Sequence, residues 1–191
     1  MIELKLPFIL ASGSPRRKEI LSTMGIPFTV DVSEVDETFS GAPQDAVMEL
    51  AYRKAQAVAK RYEDALVLAA DTLVFGEEVL GKPGTCERAR EMLAELSGKW
   101  HSVFTGMTLI HPSSGRVIRR VCETRVHFVK MSRDEIEAYV ASGEPLDKAG
   151  AYGIQGLGGM FVDRIEGSYS NVVGLPMSVL REMISEMNQF I

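Results

Sequence analysis

Four cations and four carboxylates stand at awkward places in this 191-residue chain. Arg16 and Arg17 fall in the first turn of a predicted helix within "ILASGSPRRKEIL", where the partial positive charge of a helix N-terminus disfavours them. Lys54 lies inside an apolar helical stripe, and Lys82 occupies the tight turn "LGKPG". Asp71 follows the apolar run "VLAA", while Glu34, Asp36 and Glu37 crowd the loop "SEVDETFSGAP". Each has an ordinary explanation. Asp71 can end a strand in a turn, Lys54 can reach past the apolar face to water, and Lys82 can be an exposed turn residue.

Taken together, these residues describe a site for a polyphosphate with a divalent metal. Exposed amides and serine hydroxyls at the start of the first helix would accept a phosphate, and a bound anion outweighs the modest dipole penalty on the arginines. Carboxylates beside it would hold the metal. Both arginines are therefore expected to face phosphate or ligand. Asp71 has a further option, because open α/β sheets take ligands outside the carboxyl ends of their strands, where an ionised carboxylate suits a cation or a proton transfer.

The elements that must carry these groups follow from periodicity and punctuation. "PFILA" at Pro7 to Ala11 reads as a short buried strand ending at the turn Ser12-Gly13-Ser14; Ser14 can cap the helix, Pro15 suits its first position, and Gly25 ends it. "FTVDV" at Phe28 to Val32 reads as a second strand, followed by the acidic loop. From Gln44 to Tyr62 apolar residues recur at Val47, Leu50, Ala51, Ala55 and Val58, one helix face with Lys54 inside it. "ALVLAADTLVF" is an apolar strand broken by Asp71 and Thr72, and "GEEVLGKPG" is a turn with a short return strand. Thr85 to Leu96 reads as a helix closed by Gly98, and Trp100 to Ile110 with Val117 to Met131 as an antiparallel pair around "HPSSG". Ser132 with Glu135 forms a capping-box pattern for a helix to Ser142, and a last amphipathic helix starts at Met177. The expected class is α/β or α+β, a mixed sheet covered by helices, in a single domain over residues 1–191.

Composition limits what such a domain does. With 21 basic and 26 acidic residues the net charge is −5, so nothing advertises long-range attraction to nucleic acid or an anionic membrane, and any basic site must be local. Cys86 and Cys122 lack metal-type spacing and fit a reducing compartment. No apolar run approaches a membrane span and "MIELKLPFILASG" lacks the order of a secretory signal, so a cytoplasmic protein is expected. A P-loop is missing, as is a dinucleotide fingerprint after the first strand. The glycines from Gly150 to Gly159 match neither; they say that backbone passes close to something, with a flexible surface loop as the plain alternative. His101, His111 and His127 have no metal-binding spacing and read as structural or exposed.

Five ordered motifs, "LASGSPRRKEIL", "LAYRKA" around Lys54, "AADT", "LGKP" and "DKAGAYGIQG" from Asp147 through Gly156, with "NVVGLP" at Asn171 to Pro176, together resemble the Maf family of nucleotide pyrophosphatases. The resemblance spans Leu10 to Pro176. It implies an elongated mixed sheet flanked by helices, a fold shared with inosine-triphosphate pyrophosphatases, a homodimer, and hydrolysis of nucleoside triphosphates to monophosphate and pyrophosphate in the upkeep of the nucleotide pool. The family's other label, a regulator of septum formation and cell division, supplies the competing reading. An interaction surface, however, does not require carboxylates and cations converging on one cleft.

Three positions resemble the dTTP/UTP branch rather than the 7-methyl-GTP branch: Arg16 after "SP", Thr72 after the motif aspartate, and Gln155 in "GIQG". Uracil and thymine present an N–H between two carbonyls, and a glutamine amide both accepts and donates, which a carboxylate cannot. For the reaction, the resemblance implies that Ser12, Arg17, Lys54 and Lys82 hold the phosphates and that Asp71 and Glu37 hold Mg²⁺ or Mn²⁺, with Glu34 as the rival to Glu37. Water then attacks the α-phosphorus, oriented or deprotonated by Asp71.

Overall fold

The apolar run "FIL" is buried throughout and forms β1 (Phe8–Leu10) in the computed structural model, which describes residues 2–32 and 34–191. Met1 and Ser33, the first residue of the acidic loop, lie outside the described residues. Pro15 starts α1 (Pro15–Thr23), and Gly25, at φ +68°, takes the chain out of it. Ser14 holds the N-cap position but its side chain makes no capping bond among the described residues; its N–H instead donates to the Ser12 hydroxyl at 3.3 Å. The second strand is shorter than its alternation suggested, β2 (Thr29–Val30), and its two residues are exposed. α2 (Pro43–Ala59) buries Val47, Leu50, Ala51, Ala55 and Val58, the stripe read from the sequence.

β3 (Leu66–Phe75) runs on through Asp71 and Thr72, where the sequence implied a break. The break is one of burial, since Leu66 to Ala70 are buried and Asp71 and Thr72 half-buried. Its neighbour explains this. β1 pairs in parallel with β3 from Phe8–Leu66 to Leu10–Leu68 and then stops, so β3 continues past the end of that parallel ladder before reaching Asp71. β4 (Val79–Leu80) returns antiparallel against Val74 and Phe75, as expected.

α3 (Cys86–Leu96) is capped by Thr85, whose hydroxyl accepts from the Arg88 N–H at 3.2 Å. β5 (Trp100–His111) and β6 (Arg116–Phe128) are sheet neighbours joined by only four residues, which requires an antiparallel hairpin. α4 (Arg133–Ala141) opens with both halves of the Ser132–Glu135 capping box. The glycine-rich stretch after it is folded: 3₁₀ turns at Glu144–Asp147, Ala149–Ala151 and Leu157–Phe161 lead into β7 (Val162–Glu166) and α5 (Tyr169–Val173), two elements with no periodic signal. α6 (Met177–Met187) ends the chain's regular structure.

The seven strands described form one mixed sheet in the order β2-β1-β3-β5-β6-β7, with β4 on β3, and helices cover it. By contact density the chain divides into two compact units. The first comprises residues 1–71, 105–122 and 174–191, and the second residues 72–104 and 123–173. In the first, Ile9, Ala11, Val67 and Ala69 pack with Ala55, Val58 and Ala59 of α2. Gly106 is needed there, because a Cβ on it would sit 2.3 Å from the Val47 carbonyl oxygen. In the second, Met92, Leu93 and Leu96 of α3 join Ile136, Tyr139 and Val140 of α4 around Phe128 and Tyr152. Among the described residues no helix is long and apolar enough to cross a membrane.

Candidate active site

Side-chain parity along β3 explains the first unit's charged cluster. Successive strand residues face opposite ways, so Asp71 shares the face of Val67 and Ala69, which is the face packed on α2. On α2, Lys54 follows Val47 and Leu50 at helical spacing and therefore lies on the same stripe. The two meet: Lys54 Nζ donates to Asp71 Oδ1 at 2.6 Å, and it lies 2.8 Å from Glu37 Oε1. The Lys54 and Asp71 side chains are each only 16% exposed, whereas that of Glu37 is 64% exposed. The lysine thus does not reach past the apolar face to water. It forms the centre of an acid–base–acid arrangement.

The neighbouring arginine fixes the loop that supplies Glu37. Arg53 Nη1 donates to the backbone carbonyls of Asp36 at 3.3 Å and Thr38 at 3.1 Å, one on either side of Glu37. Asp36 itself turns back to accept the Thr38 N–H at 2.8 Å, and bonds from Thr38 hold its carboxyl below the ordinary value. Glu34 is exposed. Of the loop's carboxylates it is Glu37 that reaches Lys54 and hence stands beside Asp71's partner.

At the start of α1 the two arginines differ from the expectation that both simply face ligand. Arg17 folds inward: Nη1 donates to Ser12 Oγ at 3.0 Å and Nε to the Gly174 carbonyl at 2.9 Å, tying the first turn to a residue of the "NVVGLP" motif. Burial pulls the Arg17 guanidinium below its ordinary pKa, Asp71 and Glu37 oppose that, and Arg16 adds to it. Ser12 is buried and accepts from both Arg17 and the Ser14 N–H, which leaves its own proton as the group it can offer an anion. Arg16 is half-buried beside it.

The second unit holds the remaining sequence-derived residues. The pairs Val74–Leu80 and Phe75–Val79 turn the chain back, so that Lys82 stands two residues beyond Leu80 as Thr72 stands two before Val74. Lys82 is exposed and Thr72 half-buried. Gly150 N donates to the Gly81 carbonyl at 3.2 Å and Gly84 N to that of Leu146 at 3.3 Å, which joins the Lys82 turn to the glycine-rich segment. Gly150 itself adopts φ +70° and packs so tightly on Val74 that a Cβ would lie 2.9 Å from its methyls. Gln155 is exposed in the turn closed by Gly156 N donating to the Gly153 carbonyl at 3.2 Å.

A family model described as "Maf-like protein" matches residues 7–187 of the chain. The chain belongs to the Maf family. Among its Maf relatives, a protein of Halalkalibacterium halodurans named dTTP/UTP pyrophosphatase is 53% identical over 90% of this chain and 91% of its own length. A Bacillus anthracis protein of the same name is 50% identical over 95% of this chain and 94% of its own length. Two solved Ham1 proteins share the fold. That of Coxiella burnetii has a TM-score of 0.57 at 18% identity, and that of Staphylococcus aureus 0.55 at 15%, each covering 95% of this chain and 99% of the other.

Whether this Maf site suits a divalent cation can be judged from its donors. Two carboxylate oxygens converge on a single ammonium, a place where positive charge is already favoured, and both are hard oxygen ligands. Among the described residues no group of three or more His, Cys, Asp or Glu is placed to hold a metal. One or two carboxylates, completed by water and substrate phosphates, is the usual way a protein binds Mg²⁺, so the residues present fit that ion better than Zn²⁺.

Sequence reasoning missed two contributors and one contact. Arg53 gave no signal beyond standing next to Lys54. The Gly174 carbonyl is visible only as a glycine in a motif. Lys54 was read as a phosphate ligand; its contact with Asp71 could have been found by combining the period-two parity of β3 with the stripe of α2.

Proposed function

We propose that this chain is a nucleoside triphosphate pyrophosphatase that hydrolyses dTTP and UTP to the monophosphate and pyrophosphate. The observation that carries the reading is the Glu37–Lys54–Asp71 cluster, two of whose members stand in the motifs, in a chain about half identical to proteins named for that activity. Asp71 orients the attacking water and takes its proton as the oxygen closes on the α-phosphorus; the bond from that phosphorus to the bridging oxygen breaks, and pyrophosphate leaves with its electrons. Lys54, bonded to Asp71 at 2.6 Å, aims that carboxylate, and is the cation that can follow charge from carboxylate to phosphate. Ser12, Arg17 and Lys82 hold the phosphate chain, while Gln155, with Arg16 and Thr72, reads the base.

Glu37 and Asp71 would hold Mg²⁺ or Mn²⁺, which would neutralise phosphate charge. Discrimination by Gln155 relies on pairing the N–H and carbonyl of uracil or thymine; a base that leaves one of these groups unpaired is penalised by about 1–3 kcal/mol. The reading includes a homodimer, inferred from the family, acting on free nucleotides in the cytoplasm, the compartment that the cysteine usage fits. Its test is a panel of nucleoside triphosphates incubated with the purified protein and Mg²⁺, assayed for pyrophosphate. Release from dTTP and UTP in preference to purine nucleotides is expected, and release of orthophosphate alone, or equal rates across the panel, would contradict it.

A further inference from the structure

The glycine-rich stretch is organised by a single buried-edge carboxylate with no place in the reaction above. Glu144 Oε1 accepts from the Tyr139 hydroxyl at 2.7 Å and from the Gly158 N–H at 3.0 Å, and Oε2 accepts from the Leu157 N–H at 2.9 Å. Tyr139, buried in α4, in turn accepts the Gly153 N–H at 3.1 Å. The donors run in one consistent direction, from Gly153 to Tyr139 to Glu144 on one side and from Leu157 and Gly158 to Glu144 on the other. Gln155 lies midway between the two anchored ends.

Glycine is required here by close approach rather than by unusual dihedrals. A Cβ at Gly156 would lie 2.3 Å from Glu144 Oε2, one at Gly158 2.5 Å from Tyr139 Oη, and one at Gly153 2.8 Å from the Lys148 stem. Burial by itself would raise the Glu144 carboxyl, but the Gly158 N–H, the Tyr139 hydroxyl and the Leu157 N–H outweigh it and hold the group below its ordinary value, so it stays an acceptor. Only an ionised carboxylate offers acceptors to all three donors at once; an amide would turn an N–H against one of them.

We propose that Glu144, acting with Tyr139, is a positioning residue for substrate specificity: the pair clamps the Gly153–Gly158 backbone so that Gln155 presents its amide at a fixed angle to a uracil or thymine base. This rests on the base-reading role given to Gln155 above. A glutamine on an exposed turn spends many rotamers and backbone states, and an unclamped loop would let it satisfy the hydrogen bonds of several bases, which is loss of selectivity rather than loss of chemistry.

The test compares wild type, Glu144→Gln, Tyr139→Phe, Gln155→Ala and the Glu144→Gln/Gln155→Ala double variant on UTP, dTTP, CTP and GTP, with thermal midpoints measured in parallel. Glu144→Gln should lower kcat/KM for UTP relative to CTP by about tenfold, mainly through KM, and Tyr139→Phe should lower it less. The double variant should lose no more selectivity than Gln155→Ala alone, because the clamp acts through that side chain. Parallel losses on all four nucleotides that track the midpoint would make Glu144 an ordinary stabilising residue and overturn the proposal while leaving Gln155 as base reader. Unaltered selectivity in Gln155→Ala would instead overturn the base-reading assignment, and the clamp's purpose with it. If Glu144→Gln does not fold, a folded Tyr139→Phe with wild-type selectivity, beside a loss in Gln155→Ala, overturns the proposal equally.

Discussion

The cluster around Lys54 and the loop around Gln155 are built by opposite means. In the first, side chains from a helix, a strand and a loop converge, and the backbone is already satisfied by α2 and β3. In the second, the backbone is the partner: three loop N–H groups are collected by one carboxylate and one phenol, and the residues between Gly153 and Gly158 are Ile154, an exposed Gln155, Gly156 and Leu157. A site of the first kind tolerates changes of shape but not of charge. A site of the second kind depends on that one carboxylate and leaves no room for an added methyl group.

The largest effect should come from breaking the first site chemically. Asp71→Asn is expected to reduce dTTP hydrolysis by ~10³-fold, in the range for loss of a general base, while the protein stays folded because Lys54 retains Glu37. Steady-state rates with a parallel thermal melt check this, and substantial residual turnover would remove Asp71 from the role.

A second contrast concerns how each unit treats a polar group in its interior. Where Lys54 and Asp71 are paired as ions, the second unit buries His101 neutral, bonded to the Tyr152 hydroxyl at 2.9 Å and edge-on to Phe128. Burial, with a smaller contribution from His127, lowers its pKa to about 4. The unfolded chain therefore binds a proton near pH 6.5 that the folded chain refuses until about pH 4, and stability falls as pH is lowered through that window, by about 3 kcal/mol at its lower end. Denaturant melts between pH 7 and 4 should show the slope, and His101→Phe should flatten it.

Two glycines sharpen the comparison sterically. A Cβ at Gly13, in the turn before α1, would meet only the Val32 Cγ2 at 3.9 Å, whereas one at Gly156 meets Glu144 Oε2 at 2.3 Å. Gly156→Ala should cost about 1–3 kcal/mol and Gly13→Ala less than about 0.5 kcal/mol in chemical denaturation. Glu37→Gln should likewise change stability by less than about 1 kcal/mol since Glu37 is mostly exposed, although the variant should need more Mg²⁺ to reach half its maximal rate.

These differences also account for what could be read in advance. Continuous apolar runs located β1 and β3 and helical spacing located α2 and α6, and with them Lys54 and Asp71, because burial leaves a pattern in residue types. The strand through Asp71 read as broken because polarity changed there, although its hydrogen-bonding continued. β7 and α5 left no such pattern: β7 is mostly exposed, α5 is a single short turn, and Glu144 looks like any helix-flanking acid. Glycines at 153, 156 and 158 announced a close approach but not what approached, since the partner lies on α4 and the turn after it. Ser14 carried a capping signal, but its side chain makes no capping bond among the described residues, and its N–H is taken by the Ser12 hydroxyl instead.

Hydrolysis of dTTP in ¹⁸O-labelled water, by wild type and by Asp71→Asn, tests most directly whether the Lys54 cluster directs water to the α-phosphorus. The account predicts one ¹⁸O in the phosphate of the dTMP formed by wild type, unlabelled pyrophosphate, and almost no product from Asp71→Asn. Label in orthophosphate or pyrophosphate, or labelled dTMP at a wild-type rate from Asp71→Asn, would contradict it.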